Sequence, residues 1–392
     1  MLGKFPIHIR RYLGLSFISQ AFTFAVPLLS ALLAARNDIS ESQVSLLLMG
    51  IYFASGILQV GVGRLFDRGL YVLSLVTSFF SVALGLLLYI YCYDNLLWFV
   101  VGSSILLFGM SIVIASIVRA VEGSVPESMR GEVSNARYLV TNLGYCTAAI
   151  LGFYFLKDYR NQLLLADMVT TLSVIIFLFF VFRNLMKEHS EKMKVVDLSA
   201  KMEGTFSVLR SKWKVFLGLQ LIYIENFAHS EIQPILYSRL GLEPLKWTTY
   251  MFFFNTLTVV LTTRFISKWQ KTQRLQTTAL VGVLMYSLGH VLVPYFLFPA
   301  GIAVTTAISV LGEIMWVAPM TIIIFRQFHE RQFGLAAGIR TAMRSFAFVF
   351  NPVLGFFLFR FVSDVRLGFA AIYGLLPLLA YQLIFHSNQK EW

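Results

Sequence analysis

Long apolar stretches separated by short polar segments extend along the whole chain. Twelve of them are close to, or above, the roughly 20 residues that a helix needs to cross about 30 Å of hydrocarbon, and they lie at 12–35, 43–62, 70–92, 97–118, 138–156, 162–182, 215–237, 247–263, 276–296, 299–325, 337–359 and 367–386. A strand of an outer-membrane barrel would alternate at every second residue, whereas residues 163–182 are apolar on every face. Because lipid offers the backbone no hydrogen-bond partners, these stretches predict helices. The pattern predicts an all-α membrane protein with twelve transmembrane helices.

The composition agrees with a chain that lies in a membrane. Of its 392 residues, 57% are hydrophobic and 13% are charged, whereas a soluble domain carries about 25% charged residues. Its two cysteines, Cys92 and Cys146, lie in apolar stretches and offer neither a disulfide framework nor a metal-ligand cluster. These features exclude a soluble enzyme, a disordered protein and a secreted disulfide scaffold. We expect no cofactor and no bound metal.

The positive charges indicate the orientation of the chain. With the N-terminus in the cytoplasm, the inner segments hold 24 Lys and Arg, and the outer loops hold seven. This bias follows the positive-inside rule and places both termini in the cytoplasm. The net charge of +12 is therefore a topology signal, and nucleic acid is not expected as a partner. The short loops favour a bacterial inner membrane, and we expect a monomer whose partners are the lipid bilayer and a small-molecule substrate.

The two halves of the chain resemble each other. Tyr12-Leu-Gly-Leu is followed 204 residues later by Phe216-Leu-Gly-Leu, and the spacing of a glycine and an arginine at 131 and 137 returns 203 residues later. The longest polar stretch, 184–213, divides the chain between these copies. The sequence therefore predicts two parallel six-helix bundles, 1–183 and 214–392, joined by a cytoplasmic linker, with a central cavity at their interface.

Three short motifs resemble those of the major facilitator superfamily. They are Gly63-Arg-Leu-Phe-Asp67-Arg68-Gly69, then Glu122 with Pro126 and Arg130-Gly131, and Gly312-Glu313 followed by Pro319. The resemblance, which is strongest to proton-coupled drug and metabolite carriers, implies secondary transport by alternating access and no enzymatic activity. It also implies an inner gate of residues at the cytoplasmic helix ends: Gly63, Asp67, Arg68, Arg130, Arg137 and Arg340. The alternative for the arginines is simple anchoring on the positive inner side.

Three ionisable residues in the predicted spans are candidates for proton coupling. Glu225 lies near the middle of the seventh span, His229 follows one helical turn later on the same side, and Glu313 lies near the middle of the tenth span. A carboxyl group away from water favours its neutral form, which carries a proton, and histidine exchanges protons near neutral pH. The alternative is that these groups make structural hydrogen bonds between helices.

Arg344 is the charged residue at membrane depth in the eleventh span. A guanidinium at that depth either pairs with Glu225 or Glu313, or binds an anionic substrate with two hydrogen bonds. Other polar and aromatic side chains are predicted to contact substrate: Gln20, Tyr223, Asn226, Asn142, Trp316 and Asn351. His290 in the ninth span is expected to be a polar residue satisfied within the protein rather than a ligand.

These observations lead to two functional hypotheses. The first is a proton-coupled transporter of small organic molecules, with export of amphiphilic compounds, metabolites or siderophores favoured by the motifs. The alternative is proton-driven import of an anionic nutrient or an iron–siderophore, which Arg344 supports. The fifth span also supports import, because Asn142-Leu-Gly144 and the residues after it lack the Gly-Pro pair that exporters of the drug/proton antiporter branch usually carry. A uniporter that needs no proton also remains open.

Overall fold

The computed structural model describes residues 5–23, 28–36, 38–67, 70–122, 127–189, 210–270, 272–327 and 333–386. Helices account for nearly all of this part of the chain, and no strand occurs in it. They are α1 (Ile7–Ala21), α2 (Leu29–Ala34), α3 (Glu41–Asp67), α4 (Tyr71–Cys92), α5 (Leu96–Glu122), α6 (Glu127–His189), α7 (Trp213–Glu231), α8 (Gln233–Arg239), α9 (Pro244–Gln270), α10 (Leu275–Leu292), α11 (Pro299–Arg326), α12 (Phe333–Phe361) and α13 (Val365–Tyr381). A 3₁₀ turn, Val293–Tyr295, follows α10, and a π-helical turn, Gln382–His386, follows α13. The predicted all-α class is confirmed.

Several of these helices are long and apolar enough to cross a membrane. Within the described residues there are seven such segments: Val72–Cys92, Leu96–Ile114, Ala136–Phe155, Asp158–Val181, Leu275–Tyr295, Pro299–Trp316 and Val365–His386. Each has few charged side chains, so that insertion costs little and the backbone is satisfied within the helix. Together they identify an integral membrane protein.

The chain forms two compact units. The first comprises Met1–Leu33 and Gly50–Lys194, and the second comprises Ala34–Met49 and Val195–Trp392. Most of the predicted linker, 184–213, lies outside the described residues.

Close helix packing in the first unit depends on glycines. A Cβ atom at Gly85 would lie 2.9 Å from the backbone nitrogen of Leu106, so α4 and α5 approach more closely than larger residues would allow. A Cβ atom at Gly144 would lie 2.6 Å from Cβ of Gln20, which brings α6 against α1 in the same way. Small residues at such crossings are typical of helices that pack in lipid.

Helix α6 is 63 residues long and contains a corner at Tyr159. The backbone angles of Tyr159, φ −126° and ψ 31°, are not helical, and polar residues flank it at Asp158 and Arg160. The guanidinium of Arg160 lies 4.3 Å from the ring centroid of Tyr93, which follows α4. The two apolar segments on either side of this corner therefore meet in a tight connection.

The second unit contains α7 to α13 around an aromatic core. Trp316, Phe369 and Tyr373 are almost fully buried. Helices α10 and α11 pack through Gly282 and Gly312, because a Cβ atom at Gly312 would lie 2.7 Å from the carbonyl oxygen of Gly282. This packing brings the polar side chains of α10 and α11 close to those of α7.

Polar side chains order two of the connections outside the apolar segments. Asp364 caps α13, since its Oδ1 accepts hydrogen bonds from the backbone N–H groups of Arg366 and Leu367 at 3.0 and 3.1 Å. Arg36 donates two hydrogen bonds to Asp38, of 3.0 and 2.9 Å. Through these hydrogen bonds, Arg36 holds the pKa of the Asp38 carboxyl below its ordinary value.

Candidate functional site

A buried acid–base pair lies in the second unit. Nδ1 of His290 on α10 is 2.7 Å from Oε1 of Glu225 on α7, and both side chains are almost fully buried. Both carboxyl oxygens of Glu225 are buried and have no hydrogen bond of good geometry among the described residues, so the 2.7 Å contact with His290 is a close approach of the two groups. With one proton to share, the pair is either an ion pair or two neutral groups in close contact. Its net charge is zero in both arrangements.

Aromatic rings surround the His290 side of the pair. The imidazole stacks at 6.0 Å on the ring of Tyr286, and its centroid lies 6.3 Å from those of Phe369 and Tyr373. The latter two rings pack on each other at 4.7 Å. This apolar shell keeps water from the pair on these sides, and therefore an unbalanced charge there would be poorly solvated.

A small cavity with several polar residues in its wall adjoins the pair. Its free volume is about 20 Å³, which is room for one water molecule. Five helices contribute to its wall, which is formed by His229, Gln233, Met251, Asn255, Tyr286, His290, Val293, Thr306, Ser309, Val310 and Glu313. His290 lines this cavity, whereas Glu225 lies behind it.

The three predicted proton-coupling residues converge on this region. His229 and Glu313 both line the cavity, and Glu225 is joined to it through His290. His229 also contacts the ring of Phe252 edge-on, with the centroids 6.3 Å apart. The structure thus places these residues together, on α7 and α11. Their role in proton coupling stays a prediction.

Arg344 on α12 has an aromatic environment. Its guanidinium carbon lies 5.1 Å from the ring centroid of Phe227 and 5.9 Å from that of Phe348. These two rings stack at 4.3 Å with an interplanar angle of 31°. Arg344 is half-buried, and within the described part of the chain it forms no ion pair with a carboxylate, including Glu225 and Glu313.

Two predicted substrate residues hold helices together through their amide groups. Asn351 is fully buried: its Nδ2 donates to the carbonyl oxygen of Ile224 at 2.7 Å, and its Oδ1 accepts from the hydroxyl of Tyr373 at 3.1 Å. The hydroxyl of Tyr286 donates to Oδ1 of Asn226 at 2.8 Å. These hydrogen bonds connect α7 with α10 and α12, and α12 with α13.

Of the other predicted substrate residues, two lie in the second unit and two in the first. Tyr223 and Trp316 are buried in the apolar core of the second unit, where the Tyr223 hydroxyl and Trp316 Nε1 have no hydrogen-bond partner among the described residues. In the first unit, Gln20 is buried at the contact of α1 with Gly144, and half-buried Asn142 donates to the carbonyl oxygen of Tyr138 at 2.9 Å. Contact with substrate stays a prediction for all four.

Little of the predicted inner gate can be placed. Arg68 lies outside the described residues, as do the side chains of Asp67, Arg130 and Arg340, while Gly63 falls within α3. The side chain of Arg137 is half-buried in α6. The gate therefore stays a prediction.

Sequence reasoning missed the partner of Glu225. His290 is 65 residues away along the chain, and its pairing depends on how α10 is rotated against α7. The usable signal in the sequence was the presence of a second histidine in an apolar span. No group of three or more His, Cys, Asp or Glu side chains in the described residues has the geometry to hold a metal ion.

Comparison with known families identifies the fold. The sequence profile of the Major Facilitator Superfamily matches residues 12–352, which is most of the chain. The chain belongs to the Major Facilitator Superfamily. It is therefore a membrane transporter and not an enzyme. None of the curated proteins matches the sequence.

Solved structures of other superfamily members have the same fold. An autoinhibited peptide transporter of the POT family has a TM-score of 0.74 at 11% identity, over 99% of this chain and 98% of that chain. A POT family transporter in complex with a thioalcohol-conjugated peptide has a TM-score of 0.69 at 14% identity over 97% of each chain. The nucleoside transporter NupG has a TM-score of 0.65 at 7% identity, over 97% of this chain and 98% of that chain. At these identities the similarity concerns the fold alone.

Proposed function

We propose that this superfamily member is a proton-coupled secondary transporter of small organic molecules. It has twelve transmembrane helices in two six-helix bundles, 1–183 and 214–392, joined by the linker 184–213, and works by alternating access. Both termini lie in the cytoplasm, and the membrane is a bacterial inner membrane. Superfamily membership supports transport, and the buried Glu225–His290 pair beside a polar cavity is the observation that supports proton coupling.

The energetics of the pair favour a functional role. A charged side chain at the centre of a bilayer costs about 2.5–3.5 kcal/mol on insertion scales. Replacing a buried ion pair by apolar residues is often neutral or stabilising, so stability alone is a weak reason for such a pair. When a carboxyl group and an imidazole at this distance share one proton, their net charge is zero. Release of that proton changes the net charge to minus one, and binding of a proton restores zero. Such a group can link proton binding to a change of conformation.

The Glu313 and His229 side chains extend this proton-binding region. Both line the same cavity as His290, so a proton that enters the cavity meets acceptors on α7, α10 and α11. This arrangement supports the proposal that Glu225, His229 and Glu313 take part in coupling together.

Proton flux in liposomes tests the proposal. The purified protein is reconstituted in vesicles that contain the pH dye pyranine, and trialanine, 5-aminolevulinate, uridine or benzoate is added outside in turn. We expect at least one of these solutes to drive a change of internal pH with the wild type and none with Glu225→Gln. The exposed Glu243 gives a matched control, since Glu243→Gln removes a carboxylate at the surface loop before α9. Solute uptake without proton flux, equal in wild type and Glu225→Gln, contradicts the proposal.

The environment of Arg344 supports a specific class of solute, an organic anion with an aromatic or apolar body. Arg344 lies eleven residues into α12, about 16 Å from its start, and the 29-residue helix is about 44 Å long. A hydrocarbon core of about 30 Å centred on this helix begins about 7 Å from its end, which puts Arg344 inside it. A guanidinium there with no carboxylate partner among the described residues is suited to bind an anion, and the Phe227 and Phe348 rings are suited to contact its apolar part.

This solute class favours import of an anionic nutrient over export of amphiphilic compounds, and a thermal-shift comparison tests it. Benzoate and benzamide have the same ring and differ in charge. We expect benzoate alone to raise the unfolding temperature of the wild type, and we expect the rise to disappear in Arg344→Gln and to persist in Arg360→Gln, which changes an exposed arginine of the same helix. An anion site is contradicted if benzamide raises the unfolding temperature of the wild type as much as benzoate does. It is also contradicted if tetraphenylphosphonium, a cation, raises the unfolding temperature of both arginine variants.

A further inference from the structure

The contacts of His290 fix the position of one of its hydrogens. Its Nδ1 lies 2.7 Å from Oε1 of Glu225 and 3.1 Å from the carbonyl oxygen of Tyr286. A backbone carbonyl oxygen only accepts hydrogen bonds, so Nδ1 carries a hydrogen. That hydrogen bonds to the carbonyl oxygen of Tyr286, and Oε1 of Glu225, at 2.7 Å from the same nitrogen, is close enough to take it as a proton.

The other nitrogen of the ring is available to the cavity. Nε2 of His290 is buried without a hydrogen-bond partner in the described part of the chain. Because Nδ1 is occupied by its contacts with Tyr286 and Glu225, Nε2 is the nitrogen that remains for the cavity that His290 lines. Oδ1 of Asn255, on the same wall, is likewise buried and has no partner among the described residues. The 20 Å³ space has room for one water molecule, which polar atoms of this wall would hold.

The same geometry separates Glu225 from the cavity. The Glu225 carboxyl is fully buried and does not lie on the cavity wall, whereas His290 does. Rings of Tyr286, Phe369 and Tyr373 cover other sides of the imidazole. The imidazole therefore contacts Glu225 on one side and lines the cavity on the other.

We propose that His290 relays protons between a water molecule in this cavity and Glu225. Nε2 accepts a proton from a hydronium ion, which becomes water, and Nδ1 then releases its hydrogen to Oε1 of Glu225. The step converts a carboxylate and a neutral imidazole with hydrogen on Nδ1 into a neutral carboxylic acid and a neutral imidazole with hydrogen on Nε2. The reverse sequence returns the proton to the cavity. This inference rests on the proposed proton coupling and identifies the residue through which Glu225 exchanges its proton.

The titratable groups around the ring are consistent with this role. Glu225 and His229 face this region from α7, Glu313 from α11 and Tyr373 from α13, while the residues that α9 contributes to the cavity, Met251 and Asn255, do not titrate. The cavity thus offers Glu313 and His229 as further proton acceptors, and Glu225 is the acceptor on the far side of the imidazole.

Infrared spectroscopy of the protein in lipid vesicles tests the relay without a transported solute. The carboxylic-acid band that is missing in Glu225→Gln reports the protonation of Glu225. After a rapid acid jump, we expect this band to grow about 100-fold more slowly in His290→Gln, which retains a hydrogen-bond donor beside Glu225 but cannot relay a proton. We expect a slower rise also in Thr306→Leu, which fills the cavity and leaves His290 intact. His386→Gln changes an exposed histidine and keeps the wild-type rate.

The outcomes separate the relay from the proposed function. Wild-type rates in both His290→Gln and Thr306→Leu contradict the relay and leave the coupling role of Glu225 intact. A wild type in which Glu225 never gains a proton contradicts both proposals. If His290→Gln does not fold, Thr306→Leu alone decides, because it changes neither member of the pair.

Discussion

Replacement of Gly312 by alanine should separate α10 from α11. The new Cβ atom would lie 2.7 Å from the carbonyl oxygen of Gly282 and 2.7 Å from the backbone nitrogen of Tyr286. Both are backbone atoms that cannot rotate away, and an unstrained contact needs about 3.5 Å. The two helices must therefore move apart by about 0.8 Å at this crossing.

The expected cost follows from two opposing effects. Overpacking of a well-packed interface costs about 1–3 kcal/mol, whereas alanine in place of glycine stabilises a helix by up to about 1 kcal/mol. Gly14 on α1 provides the matched control, because a Cβ atom there has no neighbour within 4 Å. Gly14→Ala gains the helix stability without the cost of the clash. The two variants should thus differ in unfolding free energy by about 1–3 kcal/mol.

Thermal unfolding of both variants in detergent measures this difference. At about 2–4 °C per kcal/mol, Gly312→Ala should melt about 2–12 °C below Gly14→Ala. Tryptophan fluorescence is a suitable signal because Trp316 packs at the same crossing, next to Gly282. Equal melting temperatures for the two variants would refute the reasoning, since they would show that α10 and α11 have room for a Cβ atom.

Three further outcomes can be checked with simple variants. Asn351→Leu loses two buried hydrogen bonds and should cost about 1–2 kcal/mol in unfolding free energy; an unchanged denaturant midpoint contradicts the link between helices. Tyr89→Phe loses the 2.7 Å hydrogen bond to a serine on α5 and should cost about 1 kcal/mol, whereas Tyr91→Phe, at an exposed side chain, should cost nothing. A membrane-impermeant maleimide added to intact cells should label half-buried Cys92 and not buried Cys146. Labelling of Cys92 only after lysis would place the termini outside the cytoplasm.

The apolar pattern was sufficient to predict the helical class, and the short motifs supplied the resemblance to the superfamily, but hydropathy alone identifies some membrane helices poorly. Helix α9 contains six threonines and is not among the segments that qualify as membrane spans by apolarity. Thr258, Thr262 and Thr263 each donate to the carbonyl oxygen four residues earlier, at 2.8, 2.7 and 2.6 Å. A hydroxyl that is satisfied within its own helix no longer requires water, and a hydropathy scale does not record this.

The location of the ionisable residues could be predicted from the sequence, and their pairing could not. Helical spacing predicts that His229 and Glu225 lie on the same side of their helix, and from this alone both could be expected near one polar region. The titratable group in contact with Glu225 is nevertheless His290, on another helix. That pairing depends on the rotation of α10 and on the close approach that Gly282 and Gly312 permit. Such contacts between helices depend on packing, which periodicity within one helix does not specify.

Arg344 shows the same limit. Its depth followed from its position in the apolar stretch, and the expectation left open whether it pairs with a glutamate. The guanidinium lies instead on the rings of Phe227 and Phe348. Phenylalanines are so common in this chain, 37 in all, that no sequence pattern distinguishes these two from the rest.

The balance of charge in the Glu225–His290 pair has an electrical consequence. While the pair shares a proton its net charge is zero, and a voltage across the bilayer exerts no net force on it, wherever the hydrogen lies between the two groups. After the proton leaves, the pair has one negative charge, on which 100 mV acts with about 2.3 kcal/mol over the full membrane. In the proposed proton-coupled transport, the membrane potential would therefore act on this pair in the deprotonated carrier and not in the protonated one.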